Sequence, residues 1–441
     1  MIVQKFGGTS VGGPEPIGRL GEIVRRALAR KPVVVVSAVG GVTNRLIRLT
    51  ECARAGADWE GELATVDGIH RKLLADLALE AGLLDGLLGE LADLARGIAL
   101  VRECTPRTLD AAASFGERLS ARIVAAHLVK AGIPAFAIDA WDAGLVTDAR
   151  FGGARPLPAS DASIRRALEH RQGVPVITGY VARTASGEVT TLGRGGSDFS
   201  AAIFGAALGA EEIQIWTDVD GVMTADPRIV PGAKQVASMS FAEAAELAFF
   251  GAKVLHPATM APAVRSNIPI RVLNSFRPDQ PGTLVTARPE RSGGPVRSIA
   301  HKDHIAVVNV VAAPMLLQFG FLARVADVFA RHEIVVDMIA TSEVSLALST
   351  EPGSRLEPAV AELATFSEVN VVRDASLVSV VGEGLRERVD SCATVLATLA
   401  ELRVQVEMIS YGATRNNLSL VVPGGRVREV VSALHERLFG R

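Results

Sequence analysis

The sequence predicts an α/β fold in which a mostly parallel sheet is followed by two smaller ferredoxin-like modules. Short apolar strands alternate with longer helical patterns over the first 285 residues, as in a parallel sheet that is covered by helices on both faces. After residue 296 the order changes to two copies of roughly β-α-β-β-α-β, which is the ferredoxin-like unit. A stretch at 278–294 that is rich in Pro, Gly and Arg lacks periodicity, so we place the main domain boundary there.

Apolar runs and helical periodicity locate the elements of the first domain, 1–285. Strands are predicted at 1–6, 33–37, 135–139, 174–178 and 212–217. Helices are predicted at 16–30, 63–79, 83–103, 116–131 and 162–170, and 151–158 is predicted to be a loop. The valines at 33–36 form a continuous apolar run, which is typical of a strand that is buried on both faces.

The two modules follow the same order of elements. The first module, 296–375, has predicted strands at 304–312, 335–340, 344–349 and 369–373 and helices at 320–332 and 357–366. The second module, 376–441, has strands at 376–381, 405–410 and 417–422 and helices at 386–402 and 426–438. The second copy lacks an obvious last strand.

The composition indicates a folded cytoplasmic protein with more than one domain. Its 441 residues exceed one typical core, and 49% of them are apolar against 21% that are charged. The net charge of −2 gives no electrostatic argument for nucleic acid or an anionic membrane. No apolar run has the length of a membrane span, and the first residues resemble no signal peptide. Three widely spaced cysteines, Cys52, Cys104 and Cys392, are typical of a reduced compartment and argue against a disulfide scaffold or a zinc site.

The turn after the first strand has the features of a phosphate-binding site. Lys5 lies at the end of the strand and is followed by Gly-Gly-Thr-Ser at 7–10, with a helical pattern a few residues later. Glycines let backbone N–H groups approach an anion, a helix N-terminus adds partial positive charge, and a lysine is suited to the outer phosphates of a nucleotide. The run is not a Walker A loop. A glycine-rich turn with a solvated lysine is the simpler alternative.

Two further turns of the same kind follow other strands. The valine run at 33–36 leads into SAVGGVTN at 37–44, and the strand-like run at 189–192 leads into GRGGSD at 193–198. In open α/β sheets, ligands bind at the carboxyl ends of the strands. We therefore expect these three turns to form one ligand site.

Five short runs resemble motifs of the aspartate kinases, within the amino acid kinase family. They are KFGGTS at 5–10, FGE at 115–117, GRGGSD at 193–198, WTDVDG at 216–221 and GAKVLHP at 251–257. The resemblance extends over nearly the whole chain, because the C-terminal part looks like paired ACT domains. FLA at 321–323 and TSEVS at 341–345 look most like the monofunctional, lysine-regulated branch. The resemblance implies a three-layer amino acid kinase sandwich followed by two ACT modules, with 296–300 available to complete the second module.

The implied reaction is ATP-dependent phosphorylation of the side-chain carboxylate of L-aspartate, the first step toward lysine, methionine and threonine. Transfer between two anions depends on positioning and charge neutralisation. The predicted catalytic residues are Lys5, Gly7, Gly8 and Asp198, where Asp198 orients Lys5.

The predicted substrate residues bind the two charged groups of the amino acid. Arg194 offers a planar fork to the α-carboxylate, and the resemblance assigns Glu117 to the α-ammonium group. Taken alone, Glu117 at a helix start would be a helix-capping acid. The hydroxyls and backbone of the same turns complete the predicted site with Ser37, Thr43, Gly195, Gly196 and Ser197.

By position, the resemblance assigns ATP to Lys5, Gly8, Thr217, Asp218, Met223, Arg228 and Lys253. Met223 stands where a tyrosine is usual beside the base, so we expect a weaker or altered base contact. Lys253 taken alone is equally a lysine at a helix end. Magnesium is expected to enter with ATP and to be held mainly by phosphates and water, and no protein metal site is predicted.

The paired modules imply a bound amino-acid effector, lysine first among them, and a homodimer or a tetramer built from it. The predicted effector residues are Met315, Gln318, Gly320, Phe321, Leu322, Asp337, Thr341, Ser342 and Glu343. Gln318 stands where a small serine is familiar, and a long amide there is expected to obstruct lysine and weaken inhibition. A role in dimerisation alone is the open alternative for the modules.

Two other functions fit the same scaffold. One is a kinase for another acidic amino acid such as glutamate or N-acetylglutamate, which a panel of substrates distinguishes. The other is a catalytically inactive amino-acid sensor, which measurable ATP turnover excludes.

Overall fold

The computed structural model describes residues 1–249, 255, 257–290, 294–311, 319–412, 414 and 416–440. The chain divides into two compact units. The first unit comprises Met1–Gly221, Ala237–Phe241 and Val254–Pro289, and the second comprises Val222–Val236, Ala242–Lys253 and Glu290–Arg441. Two segments from the middle of the chain therefore belong to the second unit.

The first unit is built on a large, mostly parallel sheet. Its strands are β1 (Ile2–Phe6), β2 (Pro32–Val36), β3 (Ala135–Ile138), β4 (Val146–Thr147), β5 (Val174–Thr178), β6 (Val181–Thr184), β7 (Val189–Thr191), β8 (Glu212–Thr217), β9 (Ser238–Ser240), β10 (Ile270–Asn274) and β11 (Thr283–Thr286). Eight of them form a sheet in the order β3-β5-β2-β1-β8-β10-β11-β9, and β4-β6-β7 form a small second sheet. In the large sheet only the β10–β11 pair is antiparallel.

Helices cover both faces of the large sheet. In the first unit they are α1 (Pro14–Arg26), α2 (Val42–Ala55), α3 (Trp59–Asp76), α4 (Asp85–Val101), α5 (Pro106–Lys130), α6 (Ser160–Leu168), α7 (Gly196–Leu208) and α9 (Pro257–Arg265). A further helix, α8 (Phe241–Phe249), begins in the first unit and continues into the second. Successive side chains of a strand point to opposite faces. Phe6 and Val34 pack with the helices α1 to α5 in one core. On the other face α7 lies so close that a Cβ on Gly205 would be 2.6 Å from Ile213 Cδ1.

The second unit contains a six-stranded antiparallel sheet. Its strands are β12 (Ser298–Val311), β13 (Val336–Thr341), β14 (Ser345–Thr350), β15 (Glu368–Val381), β16 (Met408–Tyr411) and β17 (Asn417–Pro423), in the order β13-β14-β12-β15-β17-β16. The helices are α10 (Phe321–Arg331), α11 (Leu356–Leu363), α12 (Val389–Glu401) and α13 (Val427–Phe439). Two apolar clusters underlie the two halves of this sheet.

Strands β12 and β15 run through both ferredoxin-like modules. The second part of β12 pairs with the first part of β15, Val311 opposite Glu368, in the first module. The first part of β12 pairs with the last part of β15, Ser298 opposite Val381, beside β17 of the second module. The two modules therefore share one continuous sheet.

The predicted fold class is confirmed, whereas several element boundaries were wrong. Helix α2 was missed, because the glycines at 40–41 were interpreted as part of a turn; Gly41, with φ at +82°, is instead the residue from which the helix begins. The predicted strands at 369–373 and 376–381 are one strand, because Asp374 adopts a φ of +56° and bends the strand without ending it. Within the described part of the chain, no helix is both long and apolar enough to cross a membrane.

Candidate active site

The first two glycine-rich turns lie at one edge of the large sheet, and the third follows β7 of the small sheet. Strand β1 pairs in parallel with β2 and with β8, so the carboxyl ends of these strands share an edge. A cavity of about 550 Å³ opens there. Of the predicted site residues, it is lined by Lys5, Gly8, Ser37, Thr43, Glu117, Arg194, Gly195, Gly196, Ser197 and Asp198.

Backbone hydrogen bonds continue beyond the strands and hold the first two turns in place. Gly7 N–H donates to the Trp216 carbonyl at 3.1 Å, and Ser37 N–H donates to the Phe6 carbonyl at 3.0 Å. Gly40 N–H donates to the Gly8 carbonyl at 3.1 Å. The amide of Gly7 is therefore used within the sheet, so Gly7 offers no free donor, and it does not line the cavity.

Lys5 and Asp198 form an ion pair at the cavity. Lys5 Nζ lies 2.6 Å from Asp198 Oδ1, and the two side chains are 11% and 19% exposed. Asp198 lies in the first turn of α7, where a carboxylate is also stabilised by the helix dipole. The pair fixes the ammonium group beside Gly7, on which a Cβ would be 3.6 Å from Nζ.

Glu117 lies in the middle of a helix, so its predicted place at a helix start was wrong. Helix α5 begins at Pro106 and runs through Phe115 and Gly116. Gly116 was predicted to be the first residue of this helix. It is instead a contact residue, because a Cβ there would be 2.7 Å from the Cβ of Ala38. The glycine lets α5 approach the turn after β2 and bring Glu117 to the cavity.

The Glu117 carboxylate is buried, and among the described residues only one of its two oxygens has a hydrogen-bond partner. Its residue is 3% exposed, and Oε1 accepts a hydrogen bond from Ala38 N–H at 3.1 Å. Oε2 has no hydrogen-bond partner in the described part of the chain. Burial raises the pKa of Glu117 to about 8, against the opposing effects of the Ala38 N–H and the Lys5 charge. The site thus holds an oxygen that a cationic ligand group can satisfy.

The Arg194 loop depends on glycine backbone conformations. Gly193 and Gly195 have φ values of +78° and +71°, which favour glycine strongly over other residues. Arg194 between them is exposed at the cavity rim. Among the described residues, its guanidinium has no hydrogen bond or ion pair. It is a cation that is available for an anionic ligand.

Tyr180 and Gly152 line the same cavity and were missed by the sequence analysis. Tyr180 follows β5, has a φ of +66°, and donates its N–H to Ser200 Oγ at 2.9 Å. Burial raises the pKa of its phenol. The signal was present in the sequence, because Gly179 and Tyr180 directly follow a predicted parallel strand.

The residues predicted to bind ATP lie in both units. Thr217 ends β8 and donates its hydroxyl to Asp218 Oδ1 at 3.1 Å, in the first unit. Met223 and Arg228 belong to the segment 222–236 of the second unit. Arg228 pairs with Asp226, Nη2 to Oδ2 at 2.6 Å, and this pair lowers the pKa of Asp226. Lys253 lies outside the described residues.

The predicted effector residues belong to the second unit, and Met315 and Gln318 lie outside the described residues. Gly320 has a φ of +84° and precedes α10, which begins at Phe321. Leu322 is exposed, as are Thr341 at the end of β13 and Ser342 and Glu343 in the connection to β14. Asp337 already has a cation, because Lys302 Nζ lies 2.8 Å from its Oδ2.

Sequence comparisons place the chain in a known enzyme family. The Amino acid kinase family matches residues 1–274, more than half of the chain, and an ACT domain matches residues 378–438. The chain is 38% identical to Aspartokinase 3, chloroplastic, of Arabidopsis thaliana over 457 aligned positions, which cover 99% of this chain and 81% of the relative. It is 37% identical to Lysine-sensitive aspartokinase 3 of Escherichia coli (strain K12), covering 100% of this chain and 99% of the relative. The chain belongs to the aspartokinases of the amino acid kinase family.

Solved aspartokinases have the same fold. E. coli aspartokinase III in complex with aspartate and ADP (R-state) matches with a TM-score of 0.84 and 36% identity over 100% of both chains. The same enzyme in complex with lysine and aspartate (T-state) matches with a TM-score of 0.84 and 35% identity, over 100% of this chain and 99% of that one. These matches confirm the predicted enzyme class, aspartate kinase, over the other amino acid kinases. The roles of individual aspartokinase residues in this chain remain predictions.

The raised pKa of Glu117 predicts a specific dependence of stability on pH. The unfolded chain releases this proton near the ordinary carboxyl pKa of 4.5, whereas the folded chain keeps it until about pH 8. The folded state therefore binds more protons between these values, and its stability falls as pH rises, by about 1.4 kcal/mol per pH unit within the window. Glu117→Gln removes this dependence.

The measurement is guanidinium unfolding of the native chain and the variant, followed by tryptophan fluorescence. The three tryptophans, Trp59, Trp141 and Trp216, all lie in the first unit. We expect the native chain to lose stability relative to Glu117→Gln from pH 5 to 8. Parallel stability curves over this range would contradict the burial of a protonated Glu117.

Proposed function

We propose that this cavity binds L-aspartate and the terminal phosphates of ATP, and transfers the γ-phosphoryl group to the aspartate side chain. The products are 4-phospho-L-aspartate and ADP, and the reaction opens the biosynthesis of lysine, methionine and threonine. The observation that carries the proposal is that Lys5, Arg194 and Glu117 border one cavity. The similar E. coli aspartokinase III has been solved with aspartate and ADP, which supports the two ligands.

The proposed chemistry needs charge neutralisation and no proton transfer. A carboxylate oxygen of aspartate forms a bond to the γ-phosphorus, while the bond from that phosphorus to the β,γ-bridging oxygen breaks and ADP leaves with the electron pair. Lys5, which Asp198 holds in place at 2.6 Å, neutralises the charge that collects on the transferring oxygens. Gly8 lines the cavity, and its lack of a Cβ lets the first turn pack against the second, because a Cβ there would be 3.0 Å from the Ala38 carbonyl oxygen.

The amino acid is held by its α-carboxylate and its α-ammonium group. Arg194 is an exposed guanidinium without a partner among the described residues, and its fork suits a carboxylate. Glu117 Oε2 is buried and unpartnered, and an ammonium group would satisfy it. Because burial disfavours the charged form of Glu117, the ammonium group must stabilise that form on binding. Ser37, Thr43 and Ser197 supply hydroxyls at the same cavity.

ATP is proposed, by sequence position in the family, to contact Thr217, Asp218, Met223, Arg228 and Lys253. Thr217 and Asp218 end β8 in the first unit, and Met223 and Arg228 belong to the second. Lys253 completes the proposed set by sequence position. Mg²⁺ would enter with ATP and be held by phosphate oxygens and water, where it would neutralise charge on the transferring group.

The second unit is proposed to regulate the kinase through the segment 222–236. Ser298 Oγ donates to the Met223 carbonyl at 2.7 Å, and Ile299 N–H donates to the Thr224 carbonyl at 2.9 Å. Thr224 Oγ1 lies 2.9 Å from His435 Nε2 on α13. Ala225 packs in the core of the second module. The segment that carries two proposed ATP residues is therefore part of the packed regulatory unit, so a change in that unit moves it directly.

Lysine is the proposed effector, with weaker sensitivity than in relatives such as Lysine-sensitive aspartokinase 3 of E. coli. Gln318 is one reason. A second is Lys302, whose Nζ lies 2.8 Å from Asp337 and 2.9 Å from Glu351. An effector ammonium group would have to share the Asp337 carboxylate with this internal ammonium group. The E. coli enzyme has been solved with lysine, which supports the choice of effector.

The domain limits, assembly and location are also proposals. We assign the catalytic domain to 1–285 and the ACT modules to 296–375 and 376–441. A homodimer through the modules, or a tetramer built from it, is supported by exposed apolar side chains on β13 and β16, such as Ile339 and Ile409. A cytoplasmic location is supported by the three free cysteines.

Replacing Lys5 tests the proposed chemistry. Lys5→Ala removes the cation at the transferring phosphoryl group, so kcat for aspartate-dependent ADP formation should fall by about 10²–10³-fold. The matched control is Lys72→Ala, which breaks an exposed lysine–aspartate pair with Asp76 on α3 and should leave kcat unchanged. Near-normal turnover of Lys5→Ala would remove Lys5 from the mechanism.

The proposed roles of Arg194 and Glu117 in binding aspartate predict which KM changes when either residue is replaced. Arg194→Ala and Glu117→Ala should each raise the KM for aspartate by about tenfold or more, because a charge-assisted contact is lost. The KM for ATP should stay within about twofold. Initial rates measured with each substrate varied in turn make the comparison. An increase in the KM for ATP instead would mean that the two subsites have been exchanged.

The link between α13 and the segment 222–236 predicts an effect on ATP alone. His435→Ala removes the contact to Thr224 and should raise the KM for ATP by roughly three- to tenfold, leaving the KM for aspartate unchanged. Arg437→Ala is the control, because Arg437 lies on the same helix but pairs with Glu401. Unchanged ATP kinetics in His435→Ala would show that this contact does not position the nucleotide residues.

A further inference from the structure

Asp110 is a buried carboxylate that joins two loops near the cavity. It lies near the start of α5 and is 3% exposed. Its Oδ2 accepts hydrogen bonds from the N–H groups of Gly152 and Thr191, both at 2.9 Å. Its Oδ1 accepts a third from Thr191 Oγ1 at 2.8 Å. A single side chain thus holds the backbone of two segments that are far apart in sequence.

Both segments support the loop that carries Arg194. Gly152 lines the cavity itself, and Thr191 ends β7 shortly before Gly193. The segments also touch each other, because Ala154 N–H donates to the Thr191 carbonyl at 2.8 Å. A Cβ on Gly193 would lie 3.1 Å from the Gly152 carbonyl oxygen. The base of the Arg194 loop is therefore fixed by contacts that converge on Asp110.

The helix that carries Asp110 also carries Glu117. The two residues are separated by two turns of α5, a distance that a helix holds rigidly. Glu117 reaches the cavity directly from the helix, whereas Arg194 is attached to the same helix through Asp110. One rigid element thus sets the positions of both groups that are proposed to hold the ends of aspartate.

We propose that Asp110 is a positioning residue for aspartate binding, which sets the place of Arg194 relative to Glu117. The inference rests on the proposed function, because it takes Arg194 to bind the α-carboxylate. Asp110 touches neither substrate nor the transferring group in this account. It acts by accepting from the N–H groups of Gly152 and Thr191, and the loop would otherwise rearrange to find other acceptors for them.

The test compares Asp110→Ala and Asp110→Asn with Arg194→Ala and with the double variant Asp110→Ala/Arg194→Ala. Asparagine keeps an oxygen that can accept from both N–H groups, whereas alanine removes all three hydrogen bonds. We expect Asp110→Ala to raise the KM for aspartate by about tenfold, with kcat and the KM for ATP within about twofold, and Asp110→Asn to restore most of the affinity. In the double variant, Asp110→Ala should add nothing further to the effect of Arg194→Ala.

Asp139→Ala controls for the loss of a buried carboxylate. Asp139 is 4% exposed and pairs with Arg118 and Arg122, none of which lines the cavity. This variant should lower the unfolding midpoint without raising the KM for aspartate. If Asp110→Ala does not fold by tryptophan fluorescence, Thr191→Val takes its place. It keeps the N–H bond to Oδ2 but removes the bond to Oδ1 and the side-chain hydrogen bond to Tyr180. It should raise the same KM by a smaller factor, again only when Arg194 is present.

Three results would overturn the inference. In the first, the increases in the KM for aspartate caused by Asp110→Ala and by Arg194→Ala multiply fully in the double variant. In the second, Asp110→Ala changes kcat and both KM values together. The third is an unchanged KM for aspartate in Asp110→Ala although Arg194→Ala raises it, which leaves the proposed function intact. An unchanged KM in Arg194→Ala itself would instead refute the proposed carboxylate contact, and this inference with it.

Discussion

The parallel pairing of β1 with β2 and β8 is the constraint on which the site depends. Lys5 is opposite Val35 on one side and Ile215 on the other, so neither neighbour can shift without disturbing the register. Hydrogen bonds from Gly7 to Trp216 and from Ser37 to Phe6 extend this pairing beyond the strands. The turns after β1 and β2 are therefore held as rigidly as the sheet itself, and a site for a transferring group requires such rigidity.

Three ionisable side chains at the cavity differ in their burial and in their partners. Lys5 is paired with Asp198, Arg194 is exposed and available, and Glu117 is buried with one oxygen unsatisfied. Burial of that carboxyl lowers the stability of the fold above its ordinary pKa, since its charged form is disfavoured. A buried carboxyl with a raised pKa is typical of a functional site, where ligand binding uses it. The stability lost at Glu117 is consistent with a site built to receive a cationic group of its ligand.

The division of the chain into units gives the proposed regulation a physical route. Segment 222–236 comes from the middle of the chain, yet it packs with the C-terminal sheet and helix α13. Coupling between sites requires an element whose position both sites influence. The segment 222–236 is such an element, because it carries proposed nucleotide residues and is hydrogen-bonded directly to β12 and α13.

The sequence by itself determined the fold class and the short-range features, because these depend on local patterns. The buried valines of β2, the glycines at positive φ and the turns after parallel strands can all be recognised within a few residues. Only the tertiary structure decided that Glu117 lies in the middle of α5 and that Asp110 holds the Arg194 loop. Those roles depend on contacts between distant segments, such as Gly116 against Ala38, and a spacing along the chain does not encode them.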